Sequence, residues 1–165
     1  MSLYDLYVPP MLRGLSALSK ILDKAAAHAE TKKIDPSVFL AARLYPDMYP
    51  LTRQVQIVCD MARRGAIRLA GGEPPSVPDT ETTVAELKAR IAATIAAINA
   101  IPKADFDRAE ERSLTIKVRG SDMVFSGLDF VRIWSLPNFY FHLTTAYAIL
   151  RHNGVELGKP DFLAG

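Results

Sequence analysis

Cys59 is the only cysteine in the chain, which rules out an intrachain disulfide and any metal centre assembled from several thiolates. So little thiol fits a reducing compartment, and Cys59 itself reads as a small buried hydrophobe rather than a nucleophile. No stretch approaches the ~20 unbroken apolar residues that a membrane span requires. Where a secretion signal would carry a basic region and an apolar core, the N-terminus has Asp5 and the pair Pro9-Pro10. A cytoplasmic protein that does not engage a membrane is therefore expected. Charge of one sign is equally scarce, with 20 basic against 18 acidic side chains and a formal net charge of +2. Without a concentrated basic face, nucleic acid is not an expected partner. The densest basic group, Arg63, Arg64 and Arg68, reads as a solvated helix face. The P-loop, GxGxxG, GxSxG, HExxH and CxxC patterns are all missing, which removes several common enzyme classes.

What is present is enough for one domain spanning 1–165, because 49% hydrophobic residues in 165 can build one buried core. Apolar residues at Met11, Leu12, Leu15, Leu18, Ile21, Leu22 and Ala25 follow the i, i+3, i+4 pattern of a long first helix, Met11 to about Thr31. Pro9 and Pro10 fall in its first turn or just before it. Asp35-Pro36 opens a short helix to about Ala42. After the rigid Tyr45–Pro50 link, Leu51, Val55, Val58, Ala62, Ala66 and Leu69 stripe a second long helix from Pro50 to about Ala70, stopped by Gly71-Gly72. Thr83 and Glu86 form a capping box for a third, Val84 to about Ala100, with Leu87, Ile91, Ile95 and Ile98 inward.

After Pro102 the period shortens to two. Leu114, Ile116 and Val118 alternate with Thr115, Lys117 and Arg119, Gly120-Ser121-Asp122 turns the chain, and Met123–Phe125 returns as a hairpin. Ser126 and Asp129 then cap a fourth long helix carried to about His152, with a kink expected at Pro137 and a stop at Gly154.

The candidate chemistry centres on His142, an imidazole within the aromatic run Leu136–Tyr147. Asn138, His142 and Thr145 share one face of that helix. Such a histidine is either a metal ligand or proton carrier, or a hydrogen-bonded core residue. Asn138 is either part of the same site or a side chain satisfying backbone groups freed at Pro137. Gln54 lies beside the inward stripe of the second helix and can face His142 across the bundle, whereas Gln56 and Asp60 are displaced around that helix and read as outward or interfacial. Asp47 either caps the second helix or turns its carboxylate into the bundle mouth. Arg151 reads either as a surface residue or, near that mouth, as an anchor for an anionic substrate. Trp134, Phe139, Tyr140, Phe141 and Tyr147 read as core and dimer-interface packing or as pocket lining. His28 and His152 read as surface residues.

The motifs LPNFYFH at 136–142, TAY at 145–147, ILRHNG at 149–154 and GKPDF at 158–162 resemble the signature of a family of bacterial and fungal proteins known as a domain of unknown function. DMYPL at 47–51, QVQ at 54–56 and RLAG at 68–71 match it too, so the resemblance covers nearly the whole chain. That family is similar in turn to the DinB/YfiT-like bundles. The resemblance implies an all-α, up-down four-helix bundle with a short extra helix and a small β-hairpin before the last helix. It also implies a homodimer, and a divalent metal held by one histidine of the second helix and an HxxxH pair of the fourth. Carried over, His142 matches the second histidine of the pair, Asn138 stands where the first should be, and Gln54 stands at the helix-two ligand. Amides thus replace two of three imidazoles, which removes donors a borderline metal needs. Two functions follow. One is a pocket around His142, with or without a metal, that activates water or a thiol, His142 acting as ligand or base and Asn138, Gln54, Asp47, Tyr147 and Arg151 holding a small-molecule substrate. The other is a non-catalytic small-molecule binder or dimeric scaffold that has lost the metal and uses the same residues as a packing network.

Overall fold

The structure, a computed structural model, describes residues 2–118 and 120–164. Helix α1 (Leu3–Lys32) starts well ahead of Met11. Ser2 Oγ accepts from the Asp5 amide at 3.3 Å, and the Asp5 carboxylate takes the Ser2 amide and hydroxyl in return. This box extends the helix backwards past both prolines, each of which costs ~3 kcal/mol in a helix interior. Leu3, Tyr7 and Val8 lengthen the buried stripe of Met11, Leu15 and Leu18, and burying each stabilises by about 1.5–3 kcal/mol, enough to offset that cost. A short helix α2 (Pro36–Ala41) follows, capped by Asp35, whose carboxylate accepts from the Ser37 amide at 2.9 Å.

Helix α3 (Leu51–Leu69) is the central element, packed on α1, on α4 (Val84–Asn99) and on the last long helix. The Thr83–Glu86 capping box forms as the sequence indicates. Two 3₁₀ turns, Lys103–Phe106 and Ala109–Glu111, lead into strands β1 (Ser113–Val118) and β2 (Ser121–Ser126), paired antiparallel with Ser113 opposite Ser126 and Val118 opposite Ser121. The loop between them is shorter than the sequence indicates, two residues with Gly120 at φ +87°; Arg119 lies outside the described residues. Leu114 and Ile116 are buried, while β2 faces mostly solvent.

The last long helix is built in three pieces without a break: α5 (Gly127–Asp129), a π-helical segment (Phe130–Ser135) and α6 (Leu136–His152). Where the sequence suggests a kink at Pro137, the structure has this wide segment directly before it. The Leu136 amide bonds back five residues to Val131, and Pro137, which has no amide proton, lets the ladder return to α register without a stranded donor. Beyond Gly154 (φ +90°), a helix not indicated by periodicity, α7 (Lys159–Leu163), is stapled to α1. Asp161 pairs with Lys24 at 2.7 Å, and Arg13 and Lys20 donate to the Leu163 and Ala164 carbonyls.

The chain is thus an all-α up-down four-helix bundle of α1, α3, α4 and α6, with a β-hairpin inserted before the last long helix. One cluster of buried apolar side chains joins the four.

Candidate functional site

The seam between α3 and α6 carries two polar rungs. At one, His142 Nδ1 and Gln54 Oε1 lie 2.7 Å apart; at the other, the Tyr7 hydroxyl donates to Met61 O at 2.9 Å and lies 2.8 Å from Ser135 Oγ. The second rung has no slack: a Cβ on Gly65 would overlap the Tyr7 hydroxyl.

The first rung fixes the state of His142. Gln54 is only 1% exposed, and its Nε2 donates to Tyr49 O at 3.1 Å. Reversing the amide would oppose two oxygens, so Oε1 faces the ring and Nδ1 must carry the proton. Nε2 then holds the lone pair. It bonds to none of the described residues, and it is not sealed off as a buried unpaired atom. Burial first, and then the nearby Arg53 charge, hold the imidazole below its ordinary pKa of 6.5, so it is neutral at physiological pH.

The other candidates divide. Asn138 lies one turn before His142, half-buried, with its Nδ2 donating to Trp134 O at 2.7 Å. It therefore dresses the π segment, and Thr145 likewise donates back to Phe141 O at 2.7 Å. Asp47 is exposed and does not cap α3, whose N-cap is Pro50. Tyr147 stacks edge-on against Phe162 of α7, and Arg151 is exposed at the far end of α6. His28 is half-buried against Phe39, and His152 is exposed. An open groove of about 480 Å³ runs along Leu44, Pro137, Phe141 and Thr145; His142 does not line it and is linked to it through its neighbour Phe141. Phe141, 59% exposed, stands edge-on to the imidazole at 5.2 Å.

A divalent metal of the implied kind would need His142, Asn138 and Gln54 to turn donors to one point. Gln54 Oε1 is taken by the ring N–H, which leaves His142 Nε2 and Asn138 Oδ1 as the uncommitted donors, and neither a carboxylate nor a second imidazole joins them. Among the described residues no three His, Cys, Asp or Glu side chains gather into a metal-holding group. The donor set does not fit such a metal.

Sequence reasoning missed the second polar cluster, where the loop 73–82 crosses α3 and α4. Arg90 is buried and donates to Pro78 O at 2.9 Å and Glu81 at 3.0 Å, and its other terminal nitrogen lies 3.0 Å from both Asp60 and Asp79. Gln56 donates to Glu81 at 2.9 Å, and Arg53 pairs with Asp79. Burial alone would raise the Glu81 carboxyl, but the bonds from Gln56 and Arg90 outweigh it and hold it below the carboxylate range. Gln56 and Asp60 thus turn to the loop and α4 rather than outward. Arg63 is buried rather than solvated, and Arg64 and Arg68 are half-buried. The available signal was the spacing of Gln56, Asp60 and Arg63 together with a proline-bounded acidic loop. Beneath it, burial pushes the Cys59 thiol up to about 12, which leaves it un-ionised.

Residues 3–163 match the family described as a domain of unknown function (DUF1993). The crystal structure of a DinB family member from Shewanella denitrificans superposes with a TM-score of 0.93 at 45% identity, covering 99% of this chain and 92% of that one. No curated protein matches the chain. With its whole helical body inside the match, the chain belongs to the DUF1993 family, within the DinB-like bundles.

Proposed function

We propose that this bundle binds a small molecule in the groove beside α6 and uses His142, neutral and with its lone pair on Nε2, as proton acceptor for a water or thiol next to Phe141 at the groove's margin. The observation that carries the reading is the Gln54 bond: an amide held by Tyr49 O can only accept from Nδ1. As Nε2 takes a proton, Gln54 Oε1 faces the growing positive charge and keeps the ring in position, the part a carboxylate plays in a triad but with a weaker dipole. Arg53 opposes that charge, so the base is mild and the ring returns to neutrality readily. Leu44 and Phe141 give the groove apolar walls for the body of a ligand. Gln54 is a positioning residue in this reading, and no metal takes part. The active form is a homodimer in the cytoplasm, and the exposed Ile133, Tyr140 and Phe141 supply apolar surface for self-association.

Long-range ¹H–¹⁵N NMR of the His142 ring at neutral pH, with zinc, nickel and manganese titrated in parallel, tests this. The expected spectrum is the neutral Nδ1–H tautomer, unaltered by metal. An Nε2–H tautomer, or stoichiometric metal that is lost in His142→Ala, overturns it.

A further inference from the structure

We propose that the cleft between α3, α4 and the loop 73–82 is a second ligand site, separate from His142, that takes a small organic carboxylate with a short apolar body on Arg63. The cleft measures about 540 Å³, and Val77, Ala89 and Ala93 give it apolar walls beside Asp60, Arg63 and Arg90. That combination of volume, apolar lining and a few converging polar groups is what small-molecule sites share.

The ligand class follows from how the cluster's cations are matched. Arg90 is saturated: its two terminal nitrogens serve three carboxylates and a backbone carbonyl. Arg53 has Asp79 and Gln56. Arg63 does not reach that state. It is 7% exposed, yet only Nη2 is engaged, donating to Pro75 O at 2.9 Å; its closest carboxylate oxygen, Asp60 Oδ1, is 3.9 Å away and sits nearer Arg90 at 3.0 Å. Nε and Nη1 bond to none of the described residues, and neither is sealed off from solvent, Arg64 Nε being the one buried unpartnered side-chain nitrogen among those residues. A guanidinium whose stem is buried while two of its nitrogens stay open to solvent is free to take a charge-assisted partner there, and a planar carboxylate matches it best. The lowered Arg63 pKa, caused by burial before any neighbouring charge, agrees with an incompletely matched cation.

The carboxylates already in the cleft do not take those donors. Glu86 faces the start of α4, bonded to the Thr82 and Thr83 amides. Glu81 holds Arg90 and Gln56. Across the cluster Arg53, Arg63 and Arg90 face Asp60, Asp79, Glu81 and Glu86, so an added anion is selected by the open donors of Arg63 and not by the net charge of the cleft.

Titration of the full chain with benzoate and isovalerate, followed by amide ¹H–¹⁵N NMR, tests the site, with benzamide as the uncharged control. Both carboxylates are expected to move the resonances of Val77, Ala89, Ala93 and Thr94, benzamide is not, and Arg63→Met is expected to weaken binding about tenfold or more. Should Arg63→Met fail to fold, Ala93→Trp fills the cleft from a solvent-facing position on α4, leaves the ion pairs in place, and is expected to abolish the shifts. His142→Ala is expected to bind as wild type, which separates this site from the groove beside α6. The proposal is overturned if the carboxylates produce no saturable shift, if benzamide binds as well, or if a folded Arg63→Met or Ala93→Trp binds unchanged.

Discussion

Replacing Gln54 with leucine separates the two roles the polar rung can have. The substitution keeps the volume and removes two hydrogen bonds, the 3.1 Å donation to Tyr49 O and the 2.7 Å acceptance from His142. A buried neutral bond contributes about 0.5–1.5 kcal/mol, and an orphaned buried partner costs more. Here both partners have an escape: Tyr49 is exposed, and His142 is half-buried. The loss is therefore expected at about 1–2 kcal/mol, or roughly 2–8 °C in Tm for a domain of this size, measured by urea and thermal denaturation. Ring NMR on the same variant should show mixed Nδ1–H and Nε2–H tautomers, because nothing then selects the first. Gln54→Glu should keep Nδ1–H and raise the His142 pKa, since a carboxylate favours the imidazolium. If Gln54→Leu leaves the tautomer unmixed, the amide does not set the ring, and the basis for Nε2 as base is lost.

Two further expectations rest on charge. Because the folded state depresses the His142 pKa below 6.5, its contribution to stability is complete above that value and is lost as pH falls through the folded pKa. Urea midpoints across that window should therefore drop more steeply in wild type than in His142→Ala, and parallel slopes would contradict the depressed pKa. Arg90→Met would strand Asp60, Asp79 and Glu81 around an apolar side chain. Breaking a buried pair costs about 3–5 kcal/mol, and because Asp79 is substantially open to water the lower end is expected. A loss below about 1 kcal/mol would mean the loop 73–82 is not held by this cation.

The bundle was legible because its signals are local. The Thr83–Glu86 box, the Ser126 cap on the Asp129 amide, the apolar stripe of α3 and the stop at Gly154 each depend on residues within a turn or two. The start of α1 was not, because the prolines speak against a helix there and only the burial of Leu3, Tyr7 and Val8 against distant elements reverses that. The π segment escaped for a similar reason: its hydrogen bonds over Phe130–Ser135 reach one residue further than those of an α-helix, and the aromatic run 139–141 fits either. At the site, the pairing of Gln54 with His142 follows from helical faces, and what was hidden is which atoms meet. Tyr49 O decides the amide orientation, and a backbone carbonyl leaves no mark in sequence. The Arg90 cluster was hidden for the opposite reason, since its carboxylates come from α3 and from a loop, elements whose mutual approach no periodicity encodes.

The two rungs of the α3–α6 seam make one last quantity predictable. Gln54 and Met61 are seven residues apart on α3, as are Ser135 and His142 across the π segment and α6, so each helix returns to the same face after two turns. If the rungs act only through their own partners, Ser135→Ala costs about 1 kcal/mol from the Tyr7 bond and leaves His142 untouched. Sites this far apart add to within roughly 0.3–0.5 kcal/mol when neither shifts the backbone. The double variant Ser135→Ala/Gln54→Leu is therefore expected to lose the sum of the two single losses in urea denaturation, with the ring tautomers of Gln54→Leu unchanged by the second substitution. A coupling clearly beyond that margin would show that the rungs jointly hold one helix register. Gln54 would then have to be counted as part of the packing of α6 rather than as a local holder of the imidazole.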